Sequence, residues 1–514
     1  MLSEFRPTAP LAPPPTSFNM AAYVLTHASK MADKTALSVV SPDGRNETHW
    51  SYAQLERAVR GVAGGLLSLG LSPGDRILLR LGNSVDFPLA FLGALAAGLV
   101  PVPTSSQLTS AEITKMSRLV SPAMIIAEPG ISLPEGQSTS VIDTDALHDL
   151  AQHRPAPFHM GDPERPGYIV FTSGTSGQAR AVLHAHRAIW ARQMMWQGWY
   201  GLTSDDRVMH AGAFNWTYTL GTGLMDPWSV GATAVIPVAG TTPDQLGKLL
   251  AREQATIFAA APGVYRQMLR HPLPSQPTLR HGLSAGEKLP ATTRTSWTAT
   301  TNTPIFEAFG MSECSTFVSG APDHPAPTDT LGYPQPGRHL AILDEDGRIT
   351  PRCTPGVLAI HRSDPGLMLN YVGAKKATMD RYHGDWFLTG DIATMGSDHS
   401  IRFDGRSDDM MNAGGFRVSP IEVEAIMTQH PAIQETACAE VAVKDDATVI
   451  ACFYTSETNA PIPTNLSDHA HARLAHYKCP RLFIPVPTLP RGANNKLLRS
   501  RLRRLYETGK LTQL

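Results

Sequence analysis

The feature that most restricts the fold of this chain is a repeated exchange of short apolar runs with capped helical stretches through its first half. Ser51 and Gln54 make a capping box, Leu55, Val59, Val62, Leu66 and Leu69 follow at helical spacing, and Gly70 ends the helix. A strand over Arg76 to Leu81 comes next. A helix near Phe87 to Gly98, a short strand near Val100 to Val102, a helix opened by Thr109 and Glu112, and a strand near Met124 to Ala127 continue the pattern. It resumes with strands at Arg207 to His210, Ala232 to Pro237, Thr256 to Ala260, Gly282 to Ala285 and Ile305 to Phe309. Such alternation predicts a largely parallel sheet covered by helices, with ligands bound beyond the C-terminal strand ends.

The pattern changes twice. From about Gly332 to Arg406 short β runs alternate with turns such as Asp346-Gly347, Pro355-Gly356 and Asp404-Gly405, which suggests a small barrel or antiparallel layer. After Asp408 the chain mixes a helix, Pro420 to Gln429, with strands at Thr436 to Val443 and Val449 to Thr455. The expectation is an α/β protein. A large domain of βα-layered sheets spans 1–407, including a small β-barrel-like subdomain at about 332–407, and a small α+β lid spans 408–514. The Pro-rich stretch Met1 to Ser17 reads as an extended or disordered arm.

Composition excludes several classes of function. The 514 residues carry a formal charge of -1, so no basic footprint for nucleic acid is present. In the tail, Arg499, Arg501, Arg503 and Arg504 read mostly as a solvated helix face. The longest apolar run, Phe87 to Val102, is shorter than a bilayer span and is broken by Pro88, Gly93, Gly98 and Pro101. The N-terminus, with Glu4 and Pro13 to Pro15, lacks the pattern of a secretory signal. Five cysteines without metal-ligand spacing indicate neither a disulfide framework nor a zinc site, which fits a reducing cytoplasm.

The chemistry begins at Phe171 to Val182, FTSGTSGQARAV. Gly174 and Gly177 can turn consecutive N–H groups onto one anion, Thr172, Ser173, Thr175 and Ser176 add hydroxyl donors, and Arg180 adds a permanent positive charge. A triphosphate would meet both hydrogen bonds and charge. The GxxxxGK[ST] spacing of the P-loop is absent. Two small-residue turns, Ser284-Ala285-Gly286-Glu287 and Phe309-Gly310-Met311-Ser312-Glu313, follow the predicted strands at the edge where ligands bind.

Five stretches in order, FTSGTSGQARAVLH, SAGEKL, FGMSE, WFLTGD with GRSDDMMNAGGFRVSP, and LPRGANNK, span Phe171 to Lys496. Together they resemble the superfamily of AMP-forming acyl-CoA synthetases, adenylation domains and luciferases, over nearly the whole chain. The resemblance implies a large domain, a hinge at Asp408 and a swinging lid. A carboxylate would attack the ATP α-phosphate to give an acyl-adenylate and pyrophosphate, and a thiol would then displace AMP. It implies Glu313 as the Mg²⁺ ligand, since magnesium takes one or two carboxylates beside phosphate oxygens. It further implies Phe309 as the adenine platform, the Ser284 to Gly286 backbone along the purine, and Asp391 with Arg406 on the ribose. Gly414, Gly415 and Phe416 would flank the pantetheine arm of CoA. Lys496 would bridge the attacking carboxylate and the α-phosphate.

The chain departs from the family pattern at Ala179-Arg180-Ala181, where Pro-Lys-Gly is usual, at Asn495, where Gly usually precedes the lysine, and at Asn412, often a lysine. Trp216 matches the family's gate to the carboxylate pocket, and Phe214, Tyr218 and Thr316 are expected to line it. The phrases PWSVGAT, SAGE and GRSDDM look most similar to the benzoate-CoA ligase branch, which implies an aryl or other small carboxylic acid. CoA is the expected thiol because no carrier-protein domain is fused to the chain. Loading of a separate carrier protein, or a nucleotide-binding regulator without catalysis, are the alternatives. The oligomeric state is left open, a homodimer included.

Overall fold

The structure, a computed structural model, describes all residues except 46, 137, 174–178, 407–408, 414–415, 445–446, 457–462, 475, 493–496 and 512–514. At 173, 412–413, 416–417, 444, 447, 463–464 and 477 it describes the backbone alone. Two compact units result. The larger holds Phe5–His339 and Ile360–Phe387, and the smaller Met1–Glu4, Leu340–Ala359 and Leu388–Leu514. This partition follows strand contacts, whereas the division at 407/408 drawn from the sequence rests on a hinge that lies outside the described residues.

The larger unit is built on a nine-stranded sheet. From one edge it runs Tyr333–Pro334, Ser315–Ser319, Ile305–Met311, His281–Ala285, Ile257–Ala260, Arg207–His210, Thr233–Pro237, Thr35–Val40 and Thr48–Ser51. The six strands from Ile305–Met311 to Thr35–Val40 are parallel, and the neighbours at both edges are antiparallel. Parallel strands are buried on both faces, and the register shows it. Met209 pairs with Phe258 on the face that holds Tyr265 and Trp297, while Val208 pairs with Ile257 on the face that holds Trp199, Tyr200 and Phe306. A second, all-parallel sheet joins Val100–Pro103, Arg76–Arg80, Met124–Ala127 and Ser140–Ile142. Both capping boxes form, Ser51 with Gln54 ahead of Tyr52–Ser68 and Thr109 with Glu112 ahead of Ser110–Val120. Strand and helix bounds fall within a few residues of those read from the sequence.

A third sheet pairs Pro166–Ser173, Ala179–Ala185 and Asn370–Tyr371, all antiparallel. The strands on either side of the glycine-rich stretch therefore pair as a hairpin, with Thr172 across from Arg180.

In the smaller unit, strand Trp386–Met395, from Leu388 onward, pairs antiparallel with Ile401–Arg406. Further along, Glu435–Lys444 pairs antiparallel with Ala447–Thr455, which pairs parallel with Leu482–Pro485. Helices Pro420–Met427, Pro463–His471 and Arg499–Glu507 accompany them. Of the two alternatives for the N-terminal arm, extended or disordered, the extended one fits, and one further expectation needs amendment. Ser3 is buried, its N–H donates to Thr350 O at 2.7 Å and its hydroxyl to Pro351 O at 2.7 Å. In the larger unit the Trp190 indole N–H donates to Ala12 O at 2.7 Å, so backbone acceptors tie down a stretch whose prolines leave few donors of its own. Arg499 is not part of a solvated face. It is 16% exposed and grips Glu424 through two bonds of 2.8 and 2.6 Å, because burial of the guanidinium demands a paired carboxylate. Among the described residues no helix is long and apolar enough to cross a membrane.

Candidate active site

The hairpin fixes the first half of the site. His184 lies fully buried on Ala179–Ala185, stacked on Tyr168 at 4.9 Å, and its Nε2 meets the Ser312 carbonyl at 2.8 Å. Burial holds the imidazole down to about 4, so the ring is neutral and its Nε2–H donates. Two backbone bonds complete the tie: Met368 N–H to Glu313 O at 2.7 Å and Val372 N–H to Ala181 O at 2.9 Å. Tyr371, paired across to Val182, is thereby set between Arg180 and Glu313. Its hydroxyl donates to Glu313 Oε1 at 2.5 Å, and the Arg180 guanidinium sits 5.1 Å from its ring centroid. Burial, reinforced by the Glu313 carboxylate, pushes the Tyr371 phenol above its ordinary range, so it remains a donor at neutral pH.

The second half lies at the C-terminal ends of the parallel strands. His281–Ala285 ends in Gly286, whose φ of +99° suits glycine and whose position a Cβ would occupy only 2.3 Å from the Trp216 ring. The SAGE turn and the tryptophan are thus in close contact. Leu289 N–H donates to Glu307 Oε1 at 2.9 Å and pins the segment beyond the half-buried Glu287. Ser284 and Ala285 are buried, as are Phe214, stacked on Phe87 at 4.8 Å, and Thr316, which accepts from Gln335 at 3.3 Å. Tyr218 is buried beneath Trp216, edge-on at 5.4 Å, with its hydroxyl bonded to Leu283 O at 3.0 Å. Phe309, Gly310 and Met311 are half-exposed beside a bulge in the pairing with Ser315–Ser319, and Phe309 meets Phe317 edge-on at 5.6 Å.

A buried clamp holds these pieces. Arg192 bonds both Asp226 oxygens at 2.7 and 2.5 Å and donates to Ser315 Oγ at 2.5 Å, and Tyr200 donates to Asp226 at 2.7 Å. Two π-helical turns, Trp196–Tyr200 and Gly221–Met225, supply the clamp's surroundings.

In the smaller unit Asp391 is buried opposite Arg406, whose Nη1 donates to Asp391 Oδ1 at 2.9 Å. Gly174, Thr175, Ser176, Gly177, Asp408, Gly414, Gly415 and Lys496 lie outside the described residues, as does Asn495. Ser173 and Phe416 are described in backbone only, in strands Pro166–Ser173 and Phe416–Val418.

The family model for the AMP-binding enzyme matches residues 24–372, and that for the AMP-binding enzyme C-terminal domain matches 422–496. The chain belongs to the AMP-binding enzyme family. This AMP-binding enzyme is 29% identical over 484 residues to the benzoate–CoA ligase of Thauera aromatica, covering 88% of this chain and 90% of that one. It superimposes on a benzoate CoA ligase from Burkholderia xenovorans LB400 with a TM-score of 0.84 at 29% identity, over 95% of this chain and all of that one. A second superposition, on the anthranilate CoA ligase AuaEII in complex with anthranoyl-AMP, reaches a TM-score of 0.85 at 25% identity, over 98% and 99% of the two chains. Reading the AMP-binding enzyme's sequence did not single out His184, Tyr371, Arg192 or Asp226. His184 closes the first motif quoted above and could have been weighed as more than strand packing. Tyr371 lies 58 residues from Glu313, and nothing in the sequence pairs the two.

Proposed function

We propose that this enzyme is an ATP-dependent ligase that joins a small aryl carboxylic acid to CoA through an acyl-adenylate. The observation that carries the reading is the contact of Trp216 with Gly286 at the ends of the parallel strands, in the same unit as the Arg180–Tyr371–Glu313 array. An aromatic gate against a purine-side turn suits a flat acid beside a nucleotide. The acid carboxylate attacks the ATP α-phosphorus, the bond to the β-phosphate bridging oxygen breaks, and pyrophosphate leaves. The CoA thiolate then attacks the acyl carbon and AMP departs. Asp391 and Arg406 hold the ribose, Phe309 stacks on adenine, and Gly414 and Gly415 admit the pantetheine arm beside Phe416. Lys496 stabilises charge that builds between carboxylate and α-phosphate, and a lid beginning at Asp408 brings it in for the first step.

Magnesium fits Glu313. The carboxylate is a hard oxygen donor, Oε1 is fixed by Tyr371, and no described residue bonds Oε2. Among the described residues no group of three or more His, Cys, Asp or Glu could hold a metal ion, so phosphate oxygens would supply the remaining ligands. When bound, the ion neutralises charge on the phosphates. A reducing cytoplasm accords with the five free cysteines.

The test is pyrophosphate release from ATP across benzoates, short and medium fatty acids and hydroxycinnamates, each with and without CoA. CoA-dependent turnover confined to benzoates is expected. Release that CoA does not stimulate would point to a carrier-protein acceptor, and preference for a fatty acid would overturn the aryl assignment. In the same assay Lys496→Ala should abolish adenylation yet largely spare CoA attack on supplied acyl-adenylate. Equal loss of both steps would refute the division of labour.

A further inference from the structure

Behind Tyr218 lie three polar atoms without partners. His210, the last residue of Arg207–His210, is 1% exposed, and neither ring nitrogen has a hydrogen-bond partner among the described residues. Thr219, in the helical turn Thr217–Leu220, is 0% exposed, and its Oγ1 is equally unpartnered. The two side chains converge. A Cβ built on Gly212 would stand 2.5 Å from Thr219 Oγ1 and 3.1 Å from His210 Nδ1, so both polar atoms close on the same backbone position, which only glycine fits without displacing them. Tyr218 connects them to the gate, since its ring meets Trp216 at 5.4 Å and the His210 ring at 4.6 Å.

Unsatisfied groups buried this deeply are costly, so a fold retains them where something else completes the bonds. We propose that His210 and Thr219 form a polar end to the acid pocket that hydrogen-bonds a neutral hydroxyl or amino substituent carried by the acid. This rests on the aryl-acid reading above. A neutral imidazole offers one donor and one acceptor, and a threonine hydroxyl can serve as either, a combination that matches a phenol or an aniline. Burial keeps His210 uncharged, which disfavours an anionic substituent. The neighbouring cation gives no help to an anion either, because Arg192 is committed to Asp226 and Ser315.

The experiment compares kcat/KM for benzoate and for its hydroxy-, amino- and methyl-substituted forms at each ring position, in the wild-type enzyme, Thr219→Val and His210→Phe. A site built to bond a hydroxyl rejects the analogue lacking it strongly, so at one ring position the wild type should prefer hydroxyl or amino over methyl by about tenfold or more. Thr219→Val, close to isosteric, should bring that ratio to about threefold or less. His210→Phe should act the same way, and melting curves for both variants identify any that fail to fold. Equal use of methyl and hydroxyl acids by the wild type overturns the proposal, as does a proportional loss on every acid in both variants. Turnover of benzoates without substituent preference refutes this inference alone, whereas silence on every aryl acid refutes the aryl reading and this inference with it.

Discussion

Tyr371 shows how much one side chain can organise. It touches the cation of the phosphate-side hairpin through its ring and the Glu313 carboxylate through its hydroxyl, so a change at either end is felt at the other. Tyr371→Phe keeps the ring under Arg180 and removes the donor to Glu313. Loss of a bond to a buried charged group should cost about 1–3 kcal/mol of stability. The ATP–pyrophosphate exchange rate should fall about tenfold or more, with the magnesium dependence displaced, since roughly 1.4 kcal/mol at the transition state is one decade in rate. Wild-type exchange at every magnesium concentration would show that the contact is bystander packing. The arrangement also gives physical content to the change from the usual lysine to Arg180. A planar guanidinium can lie on a phenol ring in a way a compact ammonium does not.

Among the elements, the legible ones were those whose signals are local. Capping boxes at Ser51 and Thr109 and apolar runs such as Met124–Ala127 are written in neighbouring residues, and the structure places them within a few positions of the reading. The ends of two parallel strands were legible at Ser284–Glu287 and Phe309–Glu313, but the strands run further than the turns read there, through Ala285 and Met311, because backbone pairing with neighbouring strands carries them on. Strand pairings were not legible. The return of Ala179–Ala185 against Pro166–Ser173, and the addition of Asn370–Tyr371 to that hairpin, depend on hydrogen bonds that no periodicity announces. The clamp between Arg192 and helix Asp226–Val230 is equally silent, since a lone Arg and a lone Asp normally read as surface. With side chains 5% and 1% exposed, it makes a definite prediction. Asp226→Ala strands a buried guanidinium and should cost about 3–5 kcal/mol in urea unfolding, whereas Arg192→Met combined with Asp226→Leu should cost less than the single change. A double variant weaker than Asp226→Ala would contradict the clamp.

At the scale of the whole molecule, the histidines set the acid limit of stability. His184, His186, His210 and His281 are all buried in the larger unit, and desolvation lowers them from 6.5 to about 4, 3, 3 and 4 respectively. His186 Nδ1 also accepts the Met20 N–H at 3.0 Å, a bond that protonation there would abolish. Because the folded values are depressed, the unfolded chain binds more protons below about pH 6.5. Stability is therefore full above that pH and falls as the pH descends towards the folded values, by up to ~1.4 kcal/mol per pH unit for each histidine. Thermal melts at pH 7.5, 6 and 5 should show an accelerating fall in Tm, and a flat Tm across that range would mean these rings are not neutral and buried together. The placement of the cysteines opens a separate route to the dynamics. Cys353 is exposed, while Cys314 is buried in the larger unit and Cys438, Cys452 and Cys479 are buried in the smaller. A thiol-alkylating reagent added to the native enzyme should modify Cys353 within its mixing phase and the other four only as each unit opens. Peptide-resolved alkylation rates would then time the opening of the two units independently, in one tube and without a single engineered label.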